Sequence, residues 1–307
     1  MSWSSTRKCR PEVTTILIGL APGDRGEAAS HLGAMIARST ASPLVVSAIS
    51  PVPWPPSPFL GDEEYLELQE RSAEEALDRA RRVVGPTAEA EFLVESARSV
   101  TDGLLQVSER VGAGLVVLGS GTSGLPGRVS LGSIAQRILH SLDTPVCFAP
   151  EGFAVAHDAR ISRITVGFGR ADSDSGLLRA AIERAQEFAI PLRVACFAVR
   201  PGAALRGTIE TSAEDLVVGE WAEQVRGQIR TAAADAGADA ESLDIVVATG
   251  TGWAETIAAL PWGPTDLLAI GAKTSAISRF LLGSHAAKIV KHSPVPVLTV
   301  ARASLTS

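Results

Sequence analysis

Cysteine is scarce in this chain, and the three cysteines lie far apart, at Cys9, Cys147 and Cys196. No two of them have the spacing of a zinc site or a redox motif, and their odd number does not indicate a disulfide framework. Cys147 and Cys196 each lie within an apolar run, which predicts buried thiols without chemistry. Such sparse use of cysteine is typical of a reducing compartment, so we expect a cytoplasmic protein.

Long apolar runs and dense positive charge are also lacking. The sequence has no stretch of about 18 apolar residues, as a transmembrane helix needs, and no apolar stretch follows the basic N-terminus as in a secretory signal. The formal net charge of −6 does not favour nucleic-acid binding, which needs a dense basic surface. The five histidines lack the spacing of metal ligands. We therefore expect no membrane, nucleic acid or metal as a partner.

The two halves of the chain carry the same landmarks in the same order. The motif LGSIAQRI at 131–138 returns as LGSHAAKI at 282–289, an offset of 151 residues. The apolar segment TTILIGL at 14–20 returns as SRITVGF at 162–168, an offset of 148 residues. The sequence therefore predicts a tandem duplication of one unit of roughly 150 residues. The predicted parts are a tail at 1–12, a first domain at 13–150, a linker at 151–161 and a second domain at 162–303.

Within each copy, short apolar segments rich in Val, Ile and Leu alternate with longer amphipathic ones. This alternation predicts strands joined by helical crossovers, and hence an α/β fold with a parallel sheet. We expect two tandem doubly wound, Rossmann-like domains with five parallel strands each, related by pseudo-twofold symmetry. The predicted strands are 14–20, 43–49, 89–95, 114–119 and 144–149 in the first copy, and 162–168, 191–199, 243–249, 266–271 and 295–300 in the second.

The segment that follows the fourth strand of the first copy, GSGTSGLPGRVSLGS at 119–133, is rich in glycine. Ligands of doubly wound sheets bind outside the carboxyl ends of the strands, and a glycine-rich loop there exposes backbone N–H groups to phosphate. Gly132 and Ser133 then open a helix, whose N-terminus favours anions. Ser133 either caps this helix or donates a hydrogen bond to a phosphate oxygen, and the sequence leaves both alternatives open.

This pattern resembles the universal stress protein superfamily in its tandem form, and the resemblance covers essentially the whole chain. Members carry G-x2-G-x9-G-[ST] after the fourth strand of a five-stranded parallel sheet. The resemblance implies that nucleotide-binding members hold ATP with this loop around the phosphates. It also implies that an Asp at the end of the first strand contacts the adenine side.

In the first copy, the family motif is matched in part. Gly119, Gly132 and Ser133 fall on the first glycine, the third glycine and the hydroxyl residue, and Thr122 replaces the middle glycine. Ala21 stands where the family has the Asp. By resemblance, the nucleotide-binding candidates of this copy are Ala21, Gly119, Ser120, Gly121, Thr122, Gly124, Gly132 and Ser133.

The second copy departs further from the motif. Thr274 again replaces the middle glycine, the spacing from it to the third glycine is one residue short, and Gly169 stands where the family has the Asp. A β-branched Thr resists the positive φ that a glycine adopts easily. The equivalent candidates are Gly169, Arg170, Gly271, Thr274, Gly283 and Ser284, which we expect to form the poorer phosphate site.

Two functions from different classes follow. The first is a cytoplasmic stress-response protein that is not an enzyme and binds ATP, AMP or ADP weakly through the first copy, with Mg²⁺ if the nucleotide brings it. The second is a scaffold that binds no nucleotide and acts through protein partners. A weak ATPase is a third hypothesis, with Asp24 or Asp172 as the nearest carboxylate for magnesium. By family analogy, the last strands, 146–149 and 297–300, form the contact within this pseudo-dimer, and a further homodimer is open.

Overall fold

A computed structural model describes residues 14–21, 26–52, 61–86, 89–121, 126–169, 171–200, 211–241, 243–272 and 284–301. Within them, strands and helices alternate as the sequence predicts. The first half contains β1 (Thr15–Leu20), α1 (Gly26–Thr40), β2 (Leu44–Pro51), α2 (Gly61–Val84), β3 (Ala90–Ala97), α3 (Val100–Arg110), β4 (Ala113–Leu118), α4 (Ser133–Ser141) and β5 (Val146–Phe148). The second half contains β6 (Arg163–Gly167), α5 (Ala171–Glu187), β7 (Leu192–Val199), α6 (Thr211–Asp235), β8 (Asp244–Gly250), α7 (Trp253–Ala258), β9 (Asp266–Ala272), α8 (Ser284–His292) and β10 (Val297–Ala301).

All ten strands form one continuous sheet, in the order β3-β2-β1-β4-β5-β10-β9-β6-β7-β8. Each half is parallel, and the two halves meet where β5 pairs with β10 in antiparallel orientation. Leu298 lies opposite Cys147, and the buried hydroxyl of Thr299 donates a hydrogen bond of 2.9 Å to the carbonyl of Val146. The predicted contact between the last strands of the two copies is thus confirmed.

Helices cover both faces of the sheet, because successive residues of each buried strand point to opposite sides. Ile16 and Ile18 of β1 belong to the core formed with α1 and α2, whereas Leu17 belongs to the core formed with α3 and α4. In the second half, α5 and α6 lie on the first of these faces and α7 and α8 on the other. No helix within the described ranges is both long and apolar enough to cross a bilayer.

The duplication is visible in the way that α1 and α5 end. Ala41 and Ala189, which are 148 residues apart, both have a φ of 53°. In each case the next residue donates its N–H to the carbonyl five residues earlier, at 3.2 Å after α1 and 2.8 Å after α5. This is the bond pattern of a Schellman motif, whose left-handed position usually holds glycine. The two halves therefore share a helix end with the same backbone strain.

A buried ionic cluster lies at the starts of β6, β7 and β9. The repeat does not predict it, because the first half lacks the central arginine. Arg193 is 1% exposed, and the side chain of Asp266 is 2% exposed. Arg163 binds the Asp266 carboxylate at 2.7 Å, while the Arg193 guanidinium lies 4.8 Å from the centre of the Trp262 ring and 3.8 Å from the same carboxylate. Val45 occupies the position of Arg193 in the first half. The halves share a topology and differ in core chemistry.

The left-handed alanines give a direct test of this repeated helix end. Ala41→Gly and Ala189→Gly should each raise the free energy of unfolding by roughly 1 kcal/mol, because glycine adopts a positive φ without a steric penalty. Ala287→Gly, at an exposed interior position of α8, is the control and should lower that free energy by about 1 kcal/mol. Denaturant unfolding measures all three. Destabilisation by all three variants would contradict the conformations described.

Candidate functional site

The carboxyl ends of β1 and β4 meet at one edge of the sheet. The two strands are parallel neighbours with Gly19 opposite Leu118, and β2 lies on the other side of β1. Ala21 and Gly119, which follow β1 and β4, therefore leave the sheet at the same edge and at the point where the strand order reverses. This is where doubly wound sheets bind ligands.

The start and end of the glycine-rich loop touch each other through their backbones. The N–H of Gly121 donates to the carbonyl of Ser130 at 2.8 Å. A Cβ built on Gly121 would lie 2.9 Å from the backbone nitrogen of Gly132, so the approach needs glycine at position 121. The structure thus brings residues 119–121 next to Gly132 and Ser133. Thr122 and Gly124 lie outside the described residues.

The hydroxyl of Ser120 is engaged inside this loop. It donates to the carbonyl of Ala149 at 2.7 Å, lies 3.3 Å from the carbonyl of Arg128, and accepts the N–H of Ser130 at 3.2 Å. These bonds tie the loop to the residue that follows β5. Sequence reasoning placed Ser120 among the candidate ligand contacts and did not foresee that it closes the loop.

The N-terminus of α4 opens beside this contact. Gly132 is the N-cap, with φ −71° and ψ 175° and no side-chain capping bond, and Ser133 is the first, exposed helical residue. The alternative that Ser133 caps the helix is therefore wrong. The first backbone bond runs from Gln136 N–H to the Gly132 carbonyl at 3.0 Å, so the N–H groups of residues 133–135 have no partner within the helix. The first turn contains no acidic residue, and these donors favour an anion.

The equivalent region of the second half is arranged differently. Gly271 lies within β9 and is paired with Val300 of β10, whereas Gly119 lies beyond the end of β4. Gly169 follows β6, and Ser284 is the exposed first residue of α8. Arg170, Thr274 and Gly283 lie outside the described residues. Of the two predicted sites, only the first has its glycine loop and helix N-terminus brought together by described contacts.

Sequence reasoning missed an aromatic contact at the start of α8. Trp253 begins α7, and its ring lies 5.2 Å from the ring of His285, centre to centre. The ammonium of Lys288 lies 5.7 Å from the centre of the Trp253 ring. The corresponding first-half positions hold the aliphatic Val100 and Ile134. The sequence signal was a tryptophan directly after the glycine-containing turn that follows β8.

Cys147 and Cys196 are both buried, as predicted, and burial raises the pKa of the Cys147 thiol far above its usual range. In the part of the chain that the structure describes, no three His, Cys, Asp or Glu residues are grouped to hold a metal ion. Asp24 and the side chain of Asp172 lie outside that part.

The comparisons with known proteins agree with this arrangement. The profile of the universal stress protein family matches residues 12–150 and again residues 160–301. Universal stress protein Rv2319c of Mycobacterium tuberculosis is 34% identical over 291 residues, which cover 93% of this chain and 99% of that protein. Universal stress protein Mb2346c of Mycobacterium bovis matches with the same identity and coverage. The crystal structure of a universal stress protein from Archaeoglobus fulgidus matches with a TM-score of 0.60 at 15% identity, covering 95% of this chain and 99% of that one.

The chain therefore belongs to the universal stress protein family. Because the family profile matches twice, it is a tandem member, as the repeat and the glycine loop of the sequence indicate. The likeness to the Archaeoglobus fulgidus structure extends over almost the whole chain and shows that the two share a fold.

The two serines of the loop test the roles described for them. Ser120→Ala should lower the free energy of unfolding by about 1–3 kcal/mol, because the N–H of Ser130 loses its acceptor and the carbonyl of Ala149 loses its donor. Ser133→Ala should change it by less than about 0.5 kcal/mol, since that side chain is exposed and makes no capping bond. Denaturant unfolding compares the two variants. Equal losses would contradict the hydrogen bonds assigned to Ser120.

Proposed function

We propose that this protein is a binding protein without enzymatic activity, and that its first half binds the phosphates of a nucleotide at the N-terminus of α4. The observation that carries the proposal is the uncapped start of α4, with Gly132 as N-cap and no acidic residue in the first turn. Gly121 packs against Gly132 and holds the glycine loop beside these donors. Such a site suits ATP, ADP or AMP, because its recognition is directed at phosphate.

The binding residues proposed for the first half have separate roles. Gly119 and Gly121 allow the backbone to turn close to a phosphate. Gly132 has no side chain to cover the N–H groups at the start of α4, and the hydroxyl of Ser133 is available to donate a hydrogen bond. Ala21 offers a methyl group where the family motif has a carboxylate, so the base and ribose lose a directional acceptor. Binding should therefore be weak. Thr122 and Gly124 complete the proposed loop, and Mg²⁺ would enter with ATP and not as a resident ion.

The second half is proposed as the weaker site or as none. Gly271 is held in the ladder between β9 and β10, which restrains it from turning toward a ligand. The rings of Trp253 and His285 are in contact beside Ser284. They stand where the first half has the aliphatic Val100 and Ile134. Gly169, Arg170, Thr274, Gly283 and Ser284 remain the candidate positions there.

A scaffold without nucleotide is the second candidate function, and one observation favours it. The hydroxyl of Ser120 and the N–H of Gly121 both bind other groups of the protein, so neither is left to bind a phosphate. A protein partner or a further copy of the chain would then be the binding partner.

Thermal unfolding with and without nucleotide separates the two functions. A ligand that binds only the folded state raises its stability by RT ln(1 + [L]/Kd), about 1.4 kcal/mol at ten times the Kd. Millimolar Mg-ATP or AMP should therefore raise the unfolding midpoint of the natural chain. Gly132→Val should abolish this rise, because the valine side chain would block access to the N–H groups at the start of α4. Gly283→Val, 151 residues later, is the matched control and should keep it.

A second variant restores the carboxylate that the family motif has. Ala21→Asp should tighten nucleotide binding by roughly ten- to a hundredfold, because a hydrogen bond to a charged group contributes about 1.5–3 kcal/mol. If neither the natural chain nor Ala21→Asp shows a rise of the midpoint with nucleotide, nucleotide binding is contradicted and the scaffold is favoured. A rise that persists in Gly132→Val would show that the nucleotide binds elsewhere.

A further inference from the structure

An apolar groove lies between α1 and α5 on the face of the sheet that carries both helices. Its volume is about 570 Å³. Its floor comes from β4, β9 and β10, and its walls are α5 from Gly176 to Phe188 and the end of α1 from Ile36 to Thr40. No described residue of either candidate phosphate site lines it. The groove is therefore separate from the proposed nucleotide site, and an inference drawn from it does not depend on nucleotide binding.

The floor of the groove exposes apolar side chains that a doubly wound sheet normally buries. On β10, Val297 and Thr299 point to the opposite face and are fully buried. Leu298 and Val300 line the groove and are only partly buried. Both faces of such a sheet are usually covered by helices. The sheet therefore has an apolar surface beside the junction of the two halves that no described helix covers.

The connection between the halves does not fill this groove. Residues 150–161 run along α1, where Arg38 donates to the carbonyl of Ala159 at 3.1 Å and the hydroxyl of Ser39 accepts the N–H of Ile161 at 2.9 Å. Of the residues in this connection, Ile161 alone lines the groove. The connection is thus docked on α1 and leaves the space beside α5 to another occupant.

The size and shape of the groove suit a slender molecule. Small-molecule sites in proteins have volumes of about 300–1,000 Å³. A helix as long as the wall from Gly176 to Phe188, about 18 Å, and about 10 Å in diameter would occupy roughly 1,400 Å³, more than twice the volume of the groove. An extended acyl chain is long enough to follow this wall and is much thinner than a helix.

The charged residues that line the groove all belong to α5. They are Arg179, Glu183 and Arg184, so the lining carries an excess of one positive charge. Arg184 pairs with Glu187 at 2.7 Å, whereas Arg179 has no ion-pair partner among the described residues. A free guanidinium beside an apolar groove favours a ligand that has one anionic end, because it can donate hydrogen bonds to a carboxylate.

We propose that the groove binds a free fatty acid. Its acyl chain lies along α5 over Leu298 and Val300, and its carboxylate pairs with Arg179. The chain covers the apolar floor that the helices leave exposed. Because α1 and β4 belong to the first half and α5, β9 and β10 to the second, the bound acid contacts both halves.

A fluorescent fatty acid, cis-parinaric acid, tests the proposal in the full chain. Below its micellar concentration it should bind saturably, with one molecule per chain. Laurate, myristate and palmitate should displace it with affinities that rise by up to roughly tenfold for each two further carbons, because each buried methylene group adds to the binding free energy. Binding that does not saturate, no binding at all, or equal affinities for the three acids would overturn the proposal.

Two matched variants show whether the acid lies in the groove. Ala180→Trp places a large side chain among the groove residues, and Gln186→Trp places the same side chain at an exposed position of α5 that does not line the groove. The first should abolish saturable binding and the second should preserve it. Equal binding by the two folded variants would overturn the proposal. If Ala180→Trp does not fold, the exchange of the exposed Arg179 decides.

The charge of Arg179 distinguishes a fatty acid from a neutral lipid. The natural chain should bind oleate about two- to fivefold more tightly than oleyl alcohol, as expected for an exposed ion pair. Arg179→Gln should remove this preference, and Arg230→Gln, at an exposed position of α6 that does not line the groove, should keep it. Equal affinities of the natural chain for the acid and the alcohol would overturn the proposal. Cosedimentation with phosphatidylglycerol vesicles that Ala180→Trp abolishes would also overturn it, because the groove would then bind a membrane.

Discussion

The antiparallel pairing of β5 with β10 is the contact on which the rest of the structure depends. It joins only three residue pairs, yet the core on one face of the sheet continues across it, from Val146 and Phe148 to Leu268 and Val297. Burying an aliphatic or aromatic side chain of this size contributes roughly 1.5–3 kcal/mol. Without this junction, each half would expose an apolar edge strand, which soluble proteins avoid.

The same junction fixes where the two candidate sites lie. Because β5 and β10 run in opposite directions, the carboxyl ends of β1 and β6 lie at opposite edges of the sheet. The two candidate sites therefore share no residues, and their local structures differ. The first retains a glycine loop beside an uncapped helix, and the second has a strand-bound Gly271 and a Trp253 contact in the corresponding regions.

Much of the fold could be predicted from the sequence, because it depends on periodic apolar segments and on a repeat. All ten predicted strands are present, with ends that differ by a few residues. The candidate site was harder to predict. That Gly132 and not Ser133 caps α4 depends on where the helix begins, which varies with local geometry. The hydrogen bonds of Ser120 join residues up to 29 positions apart, and a local sequence pattern does not predict such a partner.

The buried charge of Arg193 also depends on residues distant in sequence and so could not be predicted from a local pattern. Its strand was predicted from an apolar run. The guanidinium is buried there because it donates to the Thr165 hydroxyl and the Pro261 carbonyl. It also lies beside Asp266 and Trp262, which are distant from it in sequence. The segment 150–161, which lies along α1, is another case. Its apolar residues are few and irregularly spaced, so the sequence predicts a linker, and only the adjacent helix surface shows why residues 150–161 are docked.

Native-state hydrogen exchange tests the central claim most directly. β10 lies between two strands, so its amides from Val297 to Thr299 belong to the ladders that join the halves. If the junction holds the molecule together, these amides should exchange only through global unfolding, with the same opening free energy as the core amides of β1 and β6. Faster exchange in β5 and β10, while β1 and β6 stay protected, would show two independently stable halves and contradict the account.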